Sequence, residues 1–204
     1  MLSGKVLKYL PSDGENPMKF MLGQKVNMTR VFDAEGKNIA VTVVKILPST
    51  VSAIKTAEKD GYSAIQIKSV KEKGKKEIDL KITEFRIENA GEYKVGQNLE
   101  VDLAAGESVA VQGVTKGKGF AGTIKRHNFK RGPESHGGNN VREPGSIGAQ
   151  QPQRVTLGRR MAGHMGATVI TVQNLKVVDI DNETILISGA IPGNNGAILR
   201  IYSK

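Results

Sequence analysis

Residues 113–166 read GVTKGKGFAGTIKRHNFKRGPESHGGNNVREPGSIGAQQPQRVTLGRRMAGHMG, and this stretch decides how the chain is organised. It holds ten of the 30 Lys and Arg but only two acids, Glu134 and Glu143. Outside it stand 20 basic and 18 acidic residues, so one quarter of the chain supplies +8 of a formal net charge of +10. The stretch also has 12 of the 24 glycines and all three histidines. Its apolar residues, such as Phe120, Ile124, Phe129, Ile147 and Leu157, follow no sustained period. Such a segment cannot bury a core and is expected to make little self-contact, being ordered only on an external scaffold. Nucleic acid phosphate is the commonest scaffold for this density of charge.

On either side of the stretch the pattern is β. Lys19 to Lys25, Thr29 to Phe32 and Ile39 to Ile46 read as hairpin material, with a turn at Asp33 to Gly36. Val51 to Thr56 and Ser63 to Ser69 alternate like half-buried strands about a turn at Asp60-Gly61. Val70 to Glu77 is a charge run broken by Gly74 and reads as a solvated loop; Ile82 to Glu88, NLEVDL and SVAVQGV follow as strands. Beyond the basic stretch come Thr168 to Asp181, TILISG and AILRIY. No segment has the period of a long amphipathic helix. Short strands at regular spacing predict a mainly β fold, an antiparallel closed barrel, since closure removes exposed edges. The basic stretch is then an irregular extension inserted between neighbouring strands. The expected divisions are a polar leader at 1–19, a β-barrel body at 20–112 and 167–204, and the extension at 113–166.

Composition narrows the function. With 38% apolar residues in 204, the body can hold a real core. No Cys is present, which removes disulfides and thiolate zinc sites and fits a reducing compartment. Residues 1–20 lack an apolar run of signal-peptide length and no window is long enough to span a membrane, so a cytoplasmic protein is expected. Aromatics are only 4% and Trp is absent, which favours phosphate and shape contacts over base stacking on several exposed rings.

Gly117, Gly119 and Gly122 match a dinucleotide-binding pattern, with Glu143 at about the distance of a ribose acid. A dinucleotide site needs a helix at the third glycine within a parallel βαβ unit, and only about ten residues precede Gly132-Pro133. With Lys116 and Lys118 beside them, these glycines instead suit close backbone approach to phosphates. His127, His136 and His164 fit no zinc spacing, and Ser135 beside His136 has no third orienting group. No catalytic constellation, cofactor or small-molecule substrate is indicated. The cations Lys125, Arg126, Lys130, Arg131, Arg142, Arg154, Arg159 and Arg160 sit at irregular spacings in Gly- and Pro-interrupted backbone. They cannot form one helical stripe for a DNA groove, and they suit a tail threading among folded RNA helices. An ordinary solvated face would mix its signs. The competing readings are a nucleotide-binding enzyme and a free RNA chaperone or DNA-binding module.

Several strings resemble the large-subunit ribosomal protein L-three family: GQKVNMTRVF (23–32), DGYSAIQI (60–67), VTKGKGFAGTIKRHNF (114–129), PGSIGAQ (144–150), RRMAGHMG (159–166) and the C-terminal ISGAIPGNNGAILRI. The likeness runs from about Phe20 to Ile201. It implies a translation-protein-like barrel on the solvent side of the large subunit and an extension reaching through ribosomal RNA toward the peptidyl transferase region. It also implies early assembly binding, neighbouring large-subunit proteins as partners, and no membrane. The expected RNA contacts add Gln150, Gln151 and the three histidines, as hydrogen-bonding partners of base edges or sugars, to the ten cations as phosphate contacts. A glutamine after the GSIG string can be methylated in bacterial members, and Gln151 is the matching position, although Ala149 and the following PQRV depart from the usual run. Asn27 replaces a usual glycine, and Val141 a usual histidine. The segment 70–81 is shorter than its family counterpart, so the helix often found there is expected to be missing.

Overall fold

The computed structural model describes residues 19–33, 35–73, 76–87, 90–99, 103–181 and 183–203, with 70–81 described by backbone alone. The expected leader thus lies almost wholly outside the described residues. The described residues fall into two compact units, one ending at Gly113 and resuming at Ile170, the other running Val114–Val169.

In the first unit, β1 (Phe20–Phe32), β2 (Asn38–Ile46), β7 (Ser108–Val114), β10 (Val169–Ile180), β11 (Thr184–Ser188) and β12 (Ile198–Ser203) share one sheet in the order β1-β12-β7-β10-β11-β2. Its recorded pairings are antiparallel, and β2 bonds to both β11 and β1. The turn expected at Asp33 to Gly36 is present, the amide of Gly36 donating to the carbonyl of Asp33 at 2.8 Å.

A second sheet, in the order β5-β4-β3-β6, is built from β3 (Ser49–Lys55), β4 (Ala64–Lys73), β5 (Lys76–Arg86) and β6 (Asn98–Leu99). This corrects the expectation of one barrel for the whole body. It also corrects the loop expected over Val70 to Glu77. There β4 and β5 continue as a ladder out to Lys73 opposite Lys76. The charge run shows no apolar alternation in sequence, whereas strand pairing is made by main-chain groups. The turn at Asp60-Gly61 is one turn of helix, α1 (Ala57–Asp60), ended by Gly61 at φ 77°. A 3-10 turn covers Ala90–Glu92, and NLEVDL continues beyond β6 outside the described residues.

β1 explains why two sheets coexist. Strand side chains alternate in direction, so Met21 enters a core with Val44, Val109, Val111, Ile185, Ile187, Leu199 and Ile201, while Phe20 and Leu22 enter another with Leu47, Ile65, Ile67 and Phe85. Each fully buried Leu or Ile is worth about 1.5–3 kcal/mol of transfer free energy. The rings of Phe20 and Phe85 stack at 4.8 Å. A register shift between Lys25 and Asn27 marks a bulge in β1. Lys25 is buried there, its Nζ donating to the carbonyls of Ile191 at 2.9 Å and Gly193 at 3.3 Å.

Candidate nucleic-acid interface

The second unit is inserted between β7 and β10, neighbours in the sheet order. Only Ala121 and Thr123 are buried among its residues, so hydrogen bonds hold it where apolar packing cannot. The amide of Thr115 donates to the carbonyl of Thr168 at 2.9 Å, Lys118 to Met165 at 2.9 Å, and Met165 back to Gly119 at 2.9 Å. β8 (Phe120–Ala121) then pairs antiparallel with β9 (Gly163–His164). These contacts form a stem. The expectation of little self-contact is therefore corrected: the charge pattern registered the missing core but not the main-chain ladder.

At the head of the stem Gly122 is the N-cap of α2 (Thr123–His127), and Asn128 ends it in the left-handed region at φ 58°. The helix does start at the third glycine, but it has five residues and its flanking strands pair antiparallel, so no βαβ cradle for a dinucleotide exists there. Its last turn carries Lys125, Arg126 and His127. Lys125 is exposed, whereas the other two turn inward onto one carbonyl, that of Met161. Arg126 Nη1 donates to it at 2.8 Å and His127 Nε2 at 2.9 Å. A carbonyl only accepts, which fixes the proton of His127 on Nε2.

Beyond the helix the chain is irregular but locally bonded. Gly132 donates to Val141 at 2.9 Å, Arg131 pairs with Glu134, and Arg159 Nη2 donates to the carbonyl of Ser146 at 2.7 Å. Lys116, Lys118, Lys130, Arg142, Arg154 and Arg160 are exposed, as are His136, His164, Gln150 and Gln151. Gly117 and Gly119 lie on the stem, Gly119 at φ 66°. The sequence-predicted residues thus occupy one unit but divide into outward cations and an inward pair, Arg126 and His127. Among the described residues no group of three His, Asp or Glu gathers as a metal site, and no helix is long and apolar enough to cross a membrane.

Sequence reasoning missed a charged cluster on the second sheet. Lys55 Nζ bonds Tyr62 Oη at 3.0 Å and lies 3.6 Å from Asp60 and 3.9 Å from Glu84. The bond to Tyr62 raises the Lys55 pKa against a small desolvation. Partial burial pushes Glu84 upward, but hydrogen bonds from Gln66 and Tyr62 and the charges of Lys55 and Arg86 outweigh it and hold the carboxyl below its ordinary value. Burial raises Tyr93 and lowers Arg200, which lies over the Phe85 ring at 5.9 Å. Lys55 stands on β3, Glu84 on β5, Asp60 at the end of α1 and Tyr62 between α1 and β4, so no local spacing in the sequence announces the cluster.

The fold and the site define a mainly β protein carrying an inserted, coreless cationic extension. The family model described as Ribosomal protein L3 matches residues 24–189. The chain is 45% identical over 202 residues to the large ribosomal subunit protein uL3 of Desulforapulum autotrophicum, covering 90% of this chain and 97% of the other. It is 48% identical over 203 residues to the uL3 of Heliobacterium modesticaldum, covering 91% and 97%. It is 42% identical over 200 residues to the uL3c of Gracilaria tenuistipitata var. liui, covering 89% and 98%. The chain belongs to the ribosomal protein L3 family, a family of large-subunit ribosomal proteins and not of enzymes.

Proposed function

We propose that this protein binds large-subunit ribosomal RNA through residues 113–166, supports early assembly, and carries that extension toward the peptidyl transferase region. The carrying observation is the segregation of charge: ten cations and two acids on a unit with only two buried residues, and one of those acids already paired with Arg131. Phosphate contacts are assigned to Lys116, Lys118, Lys125, Lys130, Arg131, Arg142, Arg154, Arg159 and Arg160. Arg126 and His127 hold the Met161 carbonyl and reach RNA only with the hydrogen bonds they have left. Gln150, Gln151, His136 and His164 serve base edges or sugars, and Gly117, Gly119 and Gly122 allow close backbone approach. Gln151 is exposed, as a methylation target must be.

We infer that the body, 20–112 with 167–204, contains a closed, translation-protein-like barrel that docks on the subunit surface beside neighbouring ribosomal proteins. The cyclic strand order supports this, since β2 pairs with both β11 and β1. Closure leaves no free edge to aggregate.

The test is the salt dependence of binding. If about half of the ten cations each neutralise a phosphate, log affinity of the full chain for large-subunit RNA falls with log salt at a slope of roughly −3.5 to −4.5. A slope near zero overturns the mechanism. Sedimentation of lysate adds a second check: the chain should travel with large subunits after a moderate salt wash, whereas a free chaperone would not.

A further inference from the structure

We propose that the distal part of the extension contains a cleft that receives one unstacked nucleotide of the RNA. This rests on the RNA-binding reading above and deepens it. An open cleft of about 470 Å³ lies between the segment after α2 and the loops at 144–147 and 156–160. That size falls in the range of small-ligand sites, roughly 300–1,000 Å³. Phe129, Ile147 and Leu157 give it apolar lining, Arg159 and Arg160 give it positive charge, and no carboxylate is among its lining residues.

Each wall has a local cause. Asn128 in the left-handed conformation turns the chain out of α2, and the ring of Phe129 then packs against His127 at 6.2 Å between centroids. His127 is itself fixed on the Met161 carbonyl, so the aromatic wall is anchored through the helix. Arg159 is held by the carbonyl of Ser146, also a lining residue, and the neighbouring Arg160 is exposed. Leu157 is 89% exposed and Ile147 42%. Water-facing apolar groups beside two guanidinium groups suit a flat base with an attached negative charge. Unpaired bases in RNA are taken on aromatic faces and guanidinium planes in this way. A purely apolar protein segment would leave both arginines without counter-charge.

Base-specific chemical probing of ribosomal RNA in large subunits carrying the full-length chain tests this. With the wild-type chain, an unpaired base is protected. Leu157→Ser and Phe129→Ala each raise that base's reactivity while the protein stays bound, and for Phe129→Ala the lost base–aromatic stacking sets the fall in base occupancy at about tenfold. Lys37→Gln, an exposed cation between β1 and β2 of the body, leaves the base protected. Should Phe129→Ala fail to fold, Leu157→Ser still decides, because a side chain this exposed packs against little. If neither cleft substitution changes any base while other footprints of the protein persist, the cleft reading falls and RNA binding survives. If the cleft crosslinks to a neighbouring protein instead of a base, the cleft reading also falls. Absence of any footprint from the wild-type chain would sink the RNA reading itself.

Discussion

The guanidinium of Arg126 fills the space that a Cβ on Gly163 would occupy, with Nη1 2.6 Å from that point and donating to Met161 at 2.8 Å. Gly163→Ala therefore pushes aside the far end of a flexible side chain, at the cost of about one hydrogen bond, ~1 kcal/mol. Three residues on, Gly166 is a harder case. Its φ is +78°, and a Cβ there would run into the carbonyl of Lys116, which is main chain. Left-handed backbone costs a non-glycine residue about 1–2 kcal/mol before any clash is counted. Amide exchange at Lys118 and Met165, which bond across the stem, should thus accelerate far more in Gly166→Ala than in Gly163→Ala. Equal rates in the two variants would show that this crossing does not hold the stem.

Much of the fold was legible from residue pattern, and the exceptions have physical reasons. Ile39 to Ile46 and SVAVQGV read as strands, and both lie in the six-stranded sheet. Val70 to Glu77 read as a loop because its charges hid a ladder that main-chain groups make. The split into two sheets was not legible, since the alternation of Phe20, Met21 and Leu22 does not say which core each residue enters. In the extension, the cations announced themselves by count, but nothing in KRH told that Arg126 and His127 turn inward onto a residue 34 or 35 positions away.

Lys25 offers a test of buried charge. Its Nζ donates to the carbonyls of Ile191 and Gly193, which lie far along the chain from β1. Lys25→Met keeps the length and apolar character of the stem but leaves those carbonyls short of a charged donor. Chemical denaturation should show a loss of about 1–3 kcal/mol with little change in m-value. Unchanged stability would mean that the desolvation of the ammonium had been cancelling its hydrogen bonds all along.

Glu84 gives a pH dependence with a definite sign. Its carboxyl resists burial, yet the donors Gln66 and Tyr62 and the cations Lys55 and Arg86 hold its folded pKa below the ordinary 4.5. A depressed carboxyl pKa adds stability that is present above 4.5 and is lost as pH falls through the folded value. The wild-type chain should therefore be more stable than Glu84→Gln at neutral pH and lose that advantage in acid, with the gap between their denaturation midpoints closing below the folded pKa. A gap that stays constant from neutral pH to that acid limit would assign the difference to packing and not to ionisation.

Arg131, one of the proposed phosphate contacts, already has an acid partner. Glu134 pairs with it at i,i+3 spacing, and both side chains are more than half exposed, so the pair itself is worth at most about 1 kcal/mol to folding. For RNA the same pair matters more, because a phosphate must compete with a carboxylate already in place. Glu134→Gln removes the competitor and one negative charge from the extension while retaining the side chain's size. RNA affinity should rise, and the slope of log affinity against log salt should steepen by up to about 0.9, the contribution of one newly neutralised phosphate. Arg131→Gln should have little effect on folding and abolish the response to Glu134→Gln, so the double variant separates a released cation from a general gain in positive potential. A gain of the same size in the absence of Arg131 would place the effect in the field of the whole extension and remove Arg131 from the contacts.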